Sequence, residues 1–357
     1  MVRTLIRPTA FVDSPFGHDG NVARLAGGLN WFAAVELLTI EGHQRVSTEL
    51  VPVGGIEDRL DDRLAAQWKA LTAPRAPLQL GERVIRLDQP QVMGIINATP
   101  DSFSDGGQFA SAGEAAEAGA DMAAAGAAIV DVGGESTRPG ARVIWEGDEI
   151  ERVVPVIRQL VAGGAAVSAD TRKADVMTAA LEAGARMIND VSALTFDQRS
   201  AEVVAASGAP VILMHHQGDP QTMQDDPRYD DVLVEVYLWL EQRIEAAVEA
   251  GIARDRILID PGFGFGKKVA HNLELMNGLA LFHSLGCPIV IGASRKRTIG
   301  ALSGEAAADK RLGGSIAFAL KAVEQGAQIV RVHDVFETVQ ALRVWRGMRD
   351  QALTPRV

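Results

Sequence analysis

From about residue 90 onward, the chain alternates between short apolar runs and longer segments with the periodicity of helices. The apolar runs do not carry a polar residue at every second position, which is typical of strands that are covered on both faces. Eight such runs are predicted as strands, at residues 92–97, 128–134, 165–170, 187–192, 210–215, 257–262, 288–294 and 329–334.

A helical segment follows each run, as in SAGEAAEAGADMAAAGA and VFETVQALRVWRGM. A Gly-Ala or Gly-Cys-Pro break often ends the helix before the next strand begins, as expected for helix C-termini. Eight strand–helix units within about 260 residues predict an α/β fold, a (β/α)8 TIM barrel over residues 86–350. A doubly wound open sheet is the alternative, but it has no need of eight regular units.

Residues 1–85 follow a different pattern and predict an N-terminal α+β extension. The segment AAVELLTIEGHQRVSTELVPV predicts two strands joined by a turn that contains glycine. A helix is predicted after them, with five apolar residues close to one face: Ile56, Leu60, Leu64, Trp68 and Leu71. The extension is interpreted as a lid, a plug of the barrel bottom or an interaction element, and the sequence leaves these three roles open.

The composition of the 357-residue chain narrows the class of protein. A hydrophobic content of 47% suffices for a large core, and a net charge of −11 argues against a nucleic-acid surface as the main partner. The single cysteine, Cys287, excludes an intrachain disulfide and suits a reducing compartment. No stretch reaches the roughly 18 apolar residues of a membrane span, and no secretory signal is predicted at the N-terminus. We therefore expect a cytoplasmic protein that binds neither nucleic acid nor membrane.

Charged and hydrogen-bonding residues stand at the C-terminal ends of all eight predicted strands, where TIM barrels collect their chemistry. The strand bodies are apolar, so a shared polar pocket is favoured over ordinary solvation of eight separate strand ends. The residues at these ends, or in the loops that follow, are Asn97, Asp131, Glu135, Thr137, Arg138, Asp170, Thr171, Arg172, Asn189, Asp190, Met214, His215, His216, Asp260, Phe265, Lys267, Ser294, Arg295, Lys296, Arg331 and His333.

Charge divides this predicted pocket into two ends. Arg331 and His333 lie two positions apart and face the same side of the last strand, and Arg295 and Lys296 follow the seventh strand. The loops after these two strands commonly hold phosphate in TIM barrels. One end is therefore predicted to bind a multiply charged oxyanion through Arg331, Lys296 and a protonated His333.

At the other end, Asp170, Asn189 and Asp260 supply acceptors and one amide. This set suits the edge of a planar heterocycle that presents adjacent N–H donors. Helix N-capping explains Asp170 about as well as a binding role does. It explains Asp260 less well, because Pro261 and Gly262 follow directly.

Three familiar motifs are excluded. The segment PGFGFGKK lacks the first glycine and the final Ser or Thr of a Walker A phosphate loop. No GxGxxG dinucleotide motif follows the first strand, and His215 with His216 has no spaced His or Cys partner for zinc.

Eight segments resemble, in order, the signature segments of the dihydropteroate synthase family. They are MGIINATPDSFSDGG, DVGGESTRPGA, SADTRKADV, INDVSA, VILMHHQG, LIDPGFGFGK, GASRKRTIG and RVHDV, within about residues 91–345. The resemblance implies a folate-pathway transferase that joins p-aminobenzoate to the methylene carbon of 6-hydroxymethyl-7,8-dihydropterin pyrophosphate, with release of pyrophosphate. It implies an SN1-like path, in which a cation develops at the pterin methylene before the amine attacks.

The resemblance also implies roles for individual residues. The pterin is expected to be held by Asp170, Asn189, Asp260 and Lys296, in a slot shaped by Met214 and Phe265, with Lys267 among the substrate-binding residues. The pyrophosphate is expected to be held by Arg331 and His333, which form the expected catalytic set together with Asp170 and Lys296. Asn97 is expected to bind Mg²⁺ beside the pyrophosphate.

Two mobile loops are implied as well, and both are expected to close over p-aminobenzoate. The second carries Thr137 and Arg138, and the first carries Asp101, Ser102, Phe103, Ser104 and Asp105. An acidic loop repels pyrophosphate unless a cation lies between them, and Mg²⁺ accepts oxygen ligands of both kinds. Phe103 is then expected to cover the aromatic substrate.

Two other functions are weighed against this one: a pterin-binding methyltransferase barrel and a catalytically silent pterin-binding homologue. The first has no need of TPDSFSDGG, SRK or RVHD, and the second is expected to lack Asn97, Arg331 or Lys296, all of which are present. The resemblance further implies a homodimer through the outer helices and a target for sulfonamides. The chain departs from the family pattern at Ala98 and Ala169, where larger residues are usual.

Overall fold

The computed structural model describes residues 2–99, 111–136, 143–218 and 222–354. The extension begins with an antiparallel sheet of β1 (Val2–Val12), β2 (Ala23–Arg24), β3 (Trp31–Glu41) and β4 (Gln44–Pro52). Strand β3 pairs with each of the other three. The prediction of two strands joined by a glycine turn is confirmed by β3 and β4, and Gly42 in that turn has φ +60°. Strand β1 was not predicted.

Helix α1 (Asp62–Thr72) starts later than the apolar pattern predicts. Asp61 caps it, because its Oδ1 accepts a hydrogen bond from the Leu64 N–H at 2.8 Å. Ile56 and Leu60 precede this cap, next to the short 3-10 helices Val53–Gly55 and Glu57–Arg59. Their placement on the same helix was wrong, because spacing does not show where the cap falls.

The predicted TIM barrel is confirmed. After a short hairpin of β5 (Leu78–Leu80) and β6 (Arg83–Ile85), eight parallel strands form one sheet. The strands are β7 (Gln91–Asn97), β8 (Ile129–Gly133), β9 (Val167–Asp170), β10 (Met187–Asp190), β11 (Val211–Met214), β12 (Ile257–Asp260), β13 (Val290–Ile291) and β14 (Ile329–Val332). They are paired in the order β12-β11-β10-β9-β8-β7-β14-β13, and a parallel bridge between Ile259 and Ile289 joins the two ends of the sheet.

In the described part of the chain, α-helices surround the strands of the barrel. They are α2 (Ala112–Ala125), α3 (Glu146–Ala162), α4 (Ala174–Glu182), α5 (Ser200–Ser207), α6 (Val232–Glu249), α7 (Val269–Asn277), α8 (Arg297–Leu302), α9 (Leu312–Glu324) and α10 (Val335–Ala352). Short 3-10 helices lie at Arg254–Arg256, Leu279–Leu285 and Ala308–Lys310. No helix in this described part of the chain is long and apolar enough to span a membrane.

The bottom of the barrel is sealed by apolar side chains. Alternate residues of each strand face the interior of a barrel, and the lowest inward position is apolar on every strand. These eight residues are Met93, Ile129, Ala166, Met187, Ile212, Leu258, Val290 and Ile329. The β5–β6 hairpin packs against them through Leu78, Leu80, Ile85 and Leu87. Of the three roles left open by the sequence, the hairpin therefore takes that of a barrel plug.

The sheet and α1 of the extension pack instead on the outside of the barrel. Leu5, Leu38 and Ile40 belong to the same buried cluster as the 3-10 helix Leu279–Leu285. Polar contacts border this interface: Arg3 pairs with Glu241 on α6, and Arg349 Nη2 on α10 donates to the Leu29 carbonyl at 2.8 Å. The extension thus bridges helices that are far apart in sequence.

Leu38→Ala is expected to lower the free energy of unfolding by about 2–5 kcal/mol, because Leu38 is 0% exposed where the extension meets the barrel. Leu50→Ala in the paired strand is the matched control. Leu50 is 64% exposed, so its change should stay within about 0.5 kcal/mol. Equal destabilisation of the two variants in denaturant titrations would contradict the packing of Leu38 against the barrel.

Candidate active site

A mainly polar ring lies directly above the apolar ring. Two positions further along the strands, the inward positions hold five polar residues, Asp131, Ser168, Asn189, Asp260 and Arg331, together with Ile95, Met214 and Gly292. Another two positions on, at the mouth of the barrel, are Asn97, Asp170, Ser294 and His333. Ala98 and Ala169 have the opposite parity and are buried among the helices, so neither lines the interior.

Arg331 lies at the centre of a buried ion-pair network. Its Nε donates to Asp131 Oδ2 at 2.6 Å, and its Nη2 donates to Asp170 Oδ2 at 2.6 Å. Asn189 Nδ2 donates to the same Asp131 Oδ2 at 2.9 Å. The oxyanion end and the heterocycle end that charge predicted as separate regions therefore meet at Arg331.

Burial changes the titration of the acceptors. It raises the pKa of Asp170 to about 7, against the opposing effect of Arg331, and the neighbouring carboxylate of Asp131 raises it further. Burial likewise raises the pKa of Asp260, while the Gly262 N–H bonded to its Oδ1 at 2.7 Å and the charge of Lys296 oppose the rise. Asp170 can thus be present at neutral pH in both protonation states.

Lys296 follows β13 and faces both acceptors. Its Nζ lies 4.0 Å from the centre of the Phe265 ring, a cation–π contact. Burial lowers the pKa of Lys296 to about 8, while Asp260 opposes the shift. The residue before it, Arg295, has φ +56° and is held by an ion pair with Asp334.

The loop that carries Phe265 depends on Lys267 and Gly262. Lys267 Nζ contacts His215 Nδ1 and the Gly262 carbonyl at 2.9 Å and the Phe265 carbonyl at 3.0 Å. These three partners use all three donor hydrogens of an ammonium group, so none is left for a substrate. The prediction that Lys267 contacts substrate is not supported by this geometry, in which the side chain holds the loop from below.

His333 differs from the expected cation. Burial lowers its pKa to about 3, and Arg331 and Arg295 add to the effect, so the ring is neutral at pH 7. Ser294 Oγ accepts a hydrogen bond from the His333 backbone N–H at 3.2 Å and lies 3.1 Å from Nδ1. The hydroxyl can therefore donate to Nδ1, which leaves Nε2 with the ring hydrogen as a neutral donor for an anion.

Asn97 ends β7 at the mouth of the barrel and is half-buried. Among the described residues, no group of three or more His, Cys, Asp or Glu side chains is placed to hold a metal ion. A single amide oxygen still fits Mg²⁺ in a substrate complex, because this ion commonly binds through one or two protein oxygens together with phosphate oxygens and water.

A second ionic cluster borders the segment that carries the predicted second loop. Lys173 Nζ donates to Glu135 Oε1 at 3.1 Å and to Glu149 Oε2 at 2.7 Å. Arg172 Nε donates to Glu135 Oε2 at 3.0 Å. The predicted loop residues themselves lie outside the described residues: Asp101, Ser102, Phe103, Ser104, Asp105, Thr137 and Arg138.

Sequence reasoning placed Asp131 at a strand end but gave it no role in the site. The signal was available in the parity of β8, because Asp131 lies two residues after Ile129 of the apolar ring and faces the same way. Asp190 was likewise given no role in the site. It shares a strand end with Asn189 but faces away, and its carboxylate accepts hydrogen bonds from Ser192 and Leu194 N–H groups.

Comparison with known proteins shows which family the chain matches. The family model described as "Pterin binding enzyme" matches residues 93–333. The Escherichia coli dihydropteroate synthase is 47% identical over 259 residues, which are 72% of this chain and 91% of that protein. The match to the family model begins after the N-terminal extension.

Two solved structures have the same fold. The Yersinia pestis dihydropteroate synthase in a sulfonamide drug complex is 44% identical with a TM-score of 0.74, covering 77% of this chain and 99% of that one. The Xanthomonas albilineans dihydropteroate synthase with 4-aminobenzoic acid is 47% identical with a TM-score of 0.73, covering 78% of this chain and 100% of that one.

Proposed function

The chain belongs to the dihydropteroate synthases within the pterin-binding enzyme family, and we propose that it joins p-aminobenzoate to 6-hydroxymethyl-7,8-dihydropterin pyrophosphate. The products are 7,8-dihydropteroate and pyrophosphate. The observation that carries the proposal is the hydrogen-bonded chain from Asn189 through Asp131 and Arg331 to Asp170, at the mouth of a barrel with this family match.

The acceptors of this site suit the pterin ring. Asp260 and Asp170 supply carboxylate oxygens for adjacent N–H groups, and Asn189 supplies an amide between them. Lys296 completes the set with a donor for a ring carbonyl or nitrogen. Met214 and Phe265 are the apolar and aromatic surfaces available to the flat ring, and the Lys296 contact fixes the position of Phe265.

Positive charge and neutral donors suit the leaving group. The bond between the pterin methylene carbon and the pyrophosphate oxygen breaks, and the oxygen keeps the electron pair. Arg331 and His333 Nε2 are placed to donate to this developing anion. Asp170, when ionised, lies beside the ring that takes up the positive charge. The amine of p-aminobenzoate then forms the carbon–nitrogen bond and releases a proton.

Mg²⁺ is part of the proposal, with Asn97 as its protein ligand. When bound, it would neutralise pyrophosphate charge that Arg331 alone leaves uncompensated. The roles of Thr137, Arg138 and residues 101–105 around p-aminobenzoate remain predictions from the resemblance. Sulfonamide sensitivity is proposed because the Yersinia pestis relative binds such a drug. The cytoplasmic location also remains a prediction.

Purified protein is expected to release pyrophosphate from the pterin substrate only when p-aminobenzoate is present, with formation of dihydropteroate. Arg331→Ala should lower kcat/KM at least about 100-fold, because a donor to the leaving group is lost. The control Arg346→Ala removes a surface guanidinium paired with Asp350 on α10 and should retain activity. Chelation of divalent cations should stop the wild type until Mg²⁺ is added. An Arg331→Ala enzyme as active as the wild type would refute the assignment.

The rate is expected to depend on pH in a bell shape. Asp170 must be ionised to accept N–H groups, so kcat/KM for the pterin substrate should fall as pH drops through about 7. Lys296 must be protonated to donate, so kcat/KM should fall as pH rises through about 8. Asp170→Asn should abolish the acid limb, whereas Asp197→Asn, a change at the cap of α4, should keep both limbs. A wild-type profile that is flat from about pH 6 to 9 would exclude these roles.

The homodimer remains a prediction, and we propose the groove between α7, α8 and α9 as its interface. This groove has a volume of about 330 Å³ and an almost wholly apolar lining that includes Met276, Leu302 and Phe318. Leu302 is 56% exposed in the single chain. Leu302→Glu should shift the sedimentation coefficient from dimer to monomer, whereas Leu50→Glu in the extension should not. An unchanged dimer in Leu302→Glu would place the interface elsewhere.

A further inference from the structure

We propose that Asp131 is a positioning residue that sets Arg331 and Asn189 for the two ends of the pterin substrate. The proposal rests on the proposed function and deepens it, because it adds a carboxylate to which neither the family resemblance nor the charge pattern gave a role. Asp131 lies on β8, which is separated from β14 by β7 alone, and its carboxylate reaches Arg331 inside the barrel.

The geometry of Asp131 differs from that of an ordinary buried ion pair. The side chain is 0% exposed, and one oxygen atom, Oδ2, accepts from both Arg331 Nε and Asn189 Nδ2. Its other oxygen, Oδ1, is buried without a hydrogen-bond partner among the described residues. Two residues that touch different parts of the substrate are therefore fixed by a single acceptor atom.

Asp131 determines which way the Asn189 amide points. An ionised carboxylate only accepts hydrogen bonds, so the NH2 group of Asn189 must face it. The Asn189 oxygen and the second amide hydrogen are then left for a ligand. Without the carboxylate, the oxygen and NH2 ends of the amide differ little in shape, so packing alone does not fix which of them faces the pterin.

Asp131 also keeps one contact of Arg331 in place while the other contact, to Asp170, is exchanged for the substrate. In the free protein the guanidinium is shared between Asp131 and Asp170, so an arriving pyrophosphate competes with Asp170 for it. Asp131 holds Nε throughout and keeps the guanidinium plane in place while the other contact exchanges. The negative charge of Asp131 also raises the pKa of Asp170, because the two like charges lie close together.

The charged groups whose electric field acts on Asp170 determine the pH dependence that the experiment measures. They are Arg331 on β14, Asp131 on β8, Lys296 after β13, Glu149 on α3 and Asp190 on β10. Asp131→Asn removes one negative charge from this set while keeping the shape. The new NH2 can occupy the place of the unpartnered Oδ1, so the amide oxygen can still accept from Arg331 and Asn189.

The experiment compares wild type, Asp131→Asn and Asp131→Glu by steady-state kinetics across pH and by calorimetric titration with 6-hydroxymethylpterin and with inorganic pyrophosphate. Asp131→Asn is expected to lower kcat/KM for the pterin substrate about 10-fold, because the two hydrogen bonds to this side chain lose the negative charge of their acceptor. The acid limb should move down by about one pH unit. Asp131→Glu restores the charge and should return the limb toward the wild-type position, even with a lower rate.

Leu38→Ala is the control for lost stability, since it weakens the fold far from the site and should leave the acid limb unmoved. An active wild type whose kinetics, pH limb and titrations are all unchanged in Asp131→Asn would overturn the positioning role. An inactive wild type would overturn the proposed function instead. In that case the titrations alone test the positioning role of Asp131. Weaker binding of both probes by Asp131→Asn than by the wild type supports the role, and equal binding refutes it.

Discussion

The alternation of side chains along the parallel strands is the constraint on which this site depends. Closing the sheet into a ring turns every second residue inward. Each strand therefore contributes one inward residue to each layer of the barrel interior. The lowest level is wholly apolar and the next holds Asp131, Asn189, Asp260 and Arg331. A buried carboxylate is costly unless a positive charge compensates it. Arg331 and Lys296 supply these positive charges from two neighbouring strand ends. The acceptors, in turn, keep these cations in place before any substrate arrives.

Most of the barrel was predictable, because each unit has both an apolar run and a helical period of its own. The extension was harder. Strand β1 carries arginines and a proline within an exposed-looking sequence, and its pairing with β3 decides which of its residues are buried. A plug was among the roles left open for the extension, but the two short strands that carry Leu78, Leu80 and Ile85 were not predicted. Three-residue strands give too short a pattern, and their burial depends on a ring assembled from distant segments.

The sequence predicts which residues form the site better than it predicts their protonation states and hydrogen-bond partners. Strand ends identify Asp170, Asn189, Asp260 and Arg331, but not which side chains share a proton or a partner. The neutral state of His333 follows mainly from its burial in the folded barrel, with Arg331 and the more distant Arg295 adding to the effect, and the local sequence does not show this burial. Lys267 is another case. The resemblance implies that it binds substrate, whereas the three polar partners of its Nζ in the structure lie within the protein.

The docking of the extension has a consequence for the order in which the protein assembles during synthesis. The strands that bury Leu38 need the 3-10 helix Leu279–Leu285, and Leu29 is tied to Arg349, 320 positions later. Contacts of such separation cannot form until nearly the whole chain has left the ribosome. The extension therefore emerges before the barrel but finds its surface after it. Until then, the apolar face that carries Leu38 has no barrel surface to cover it.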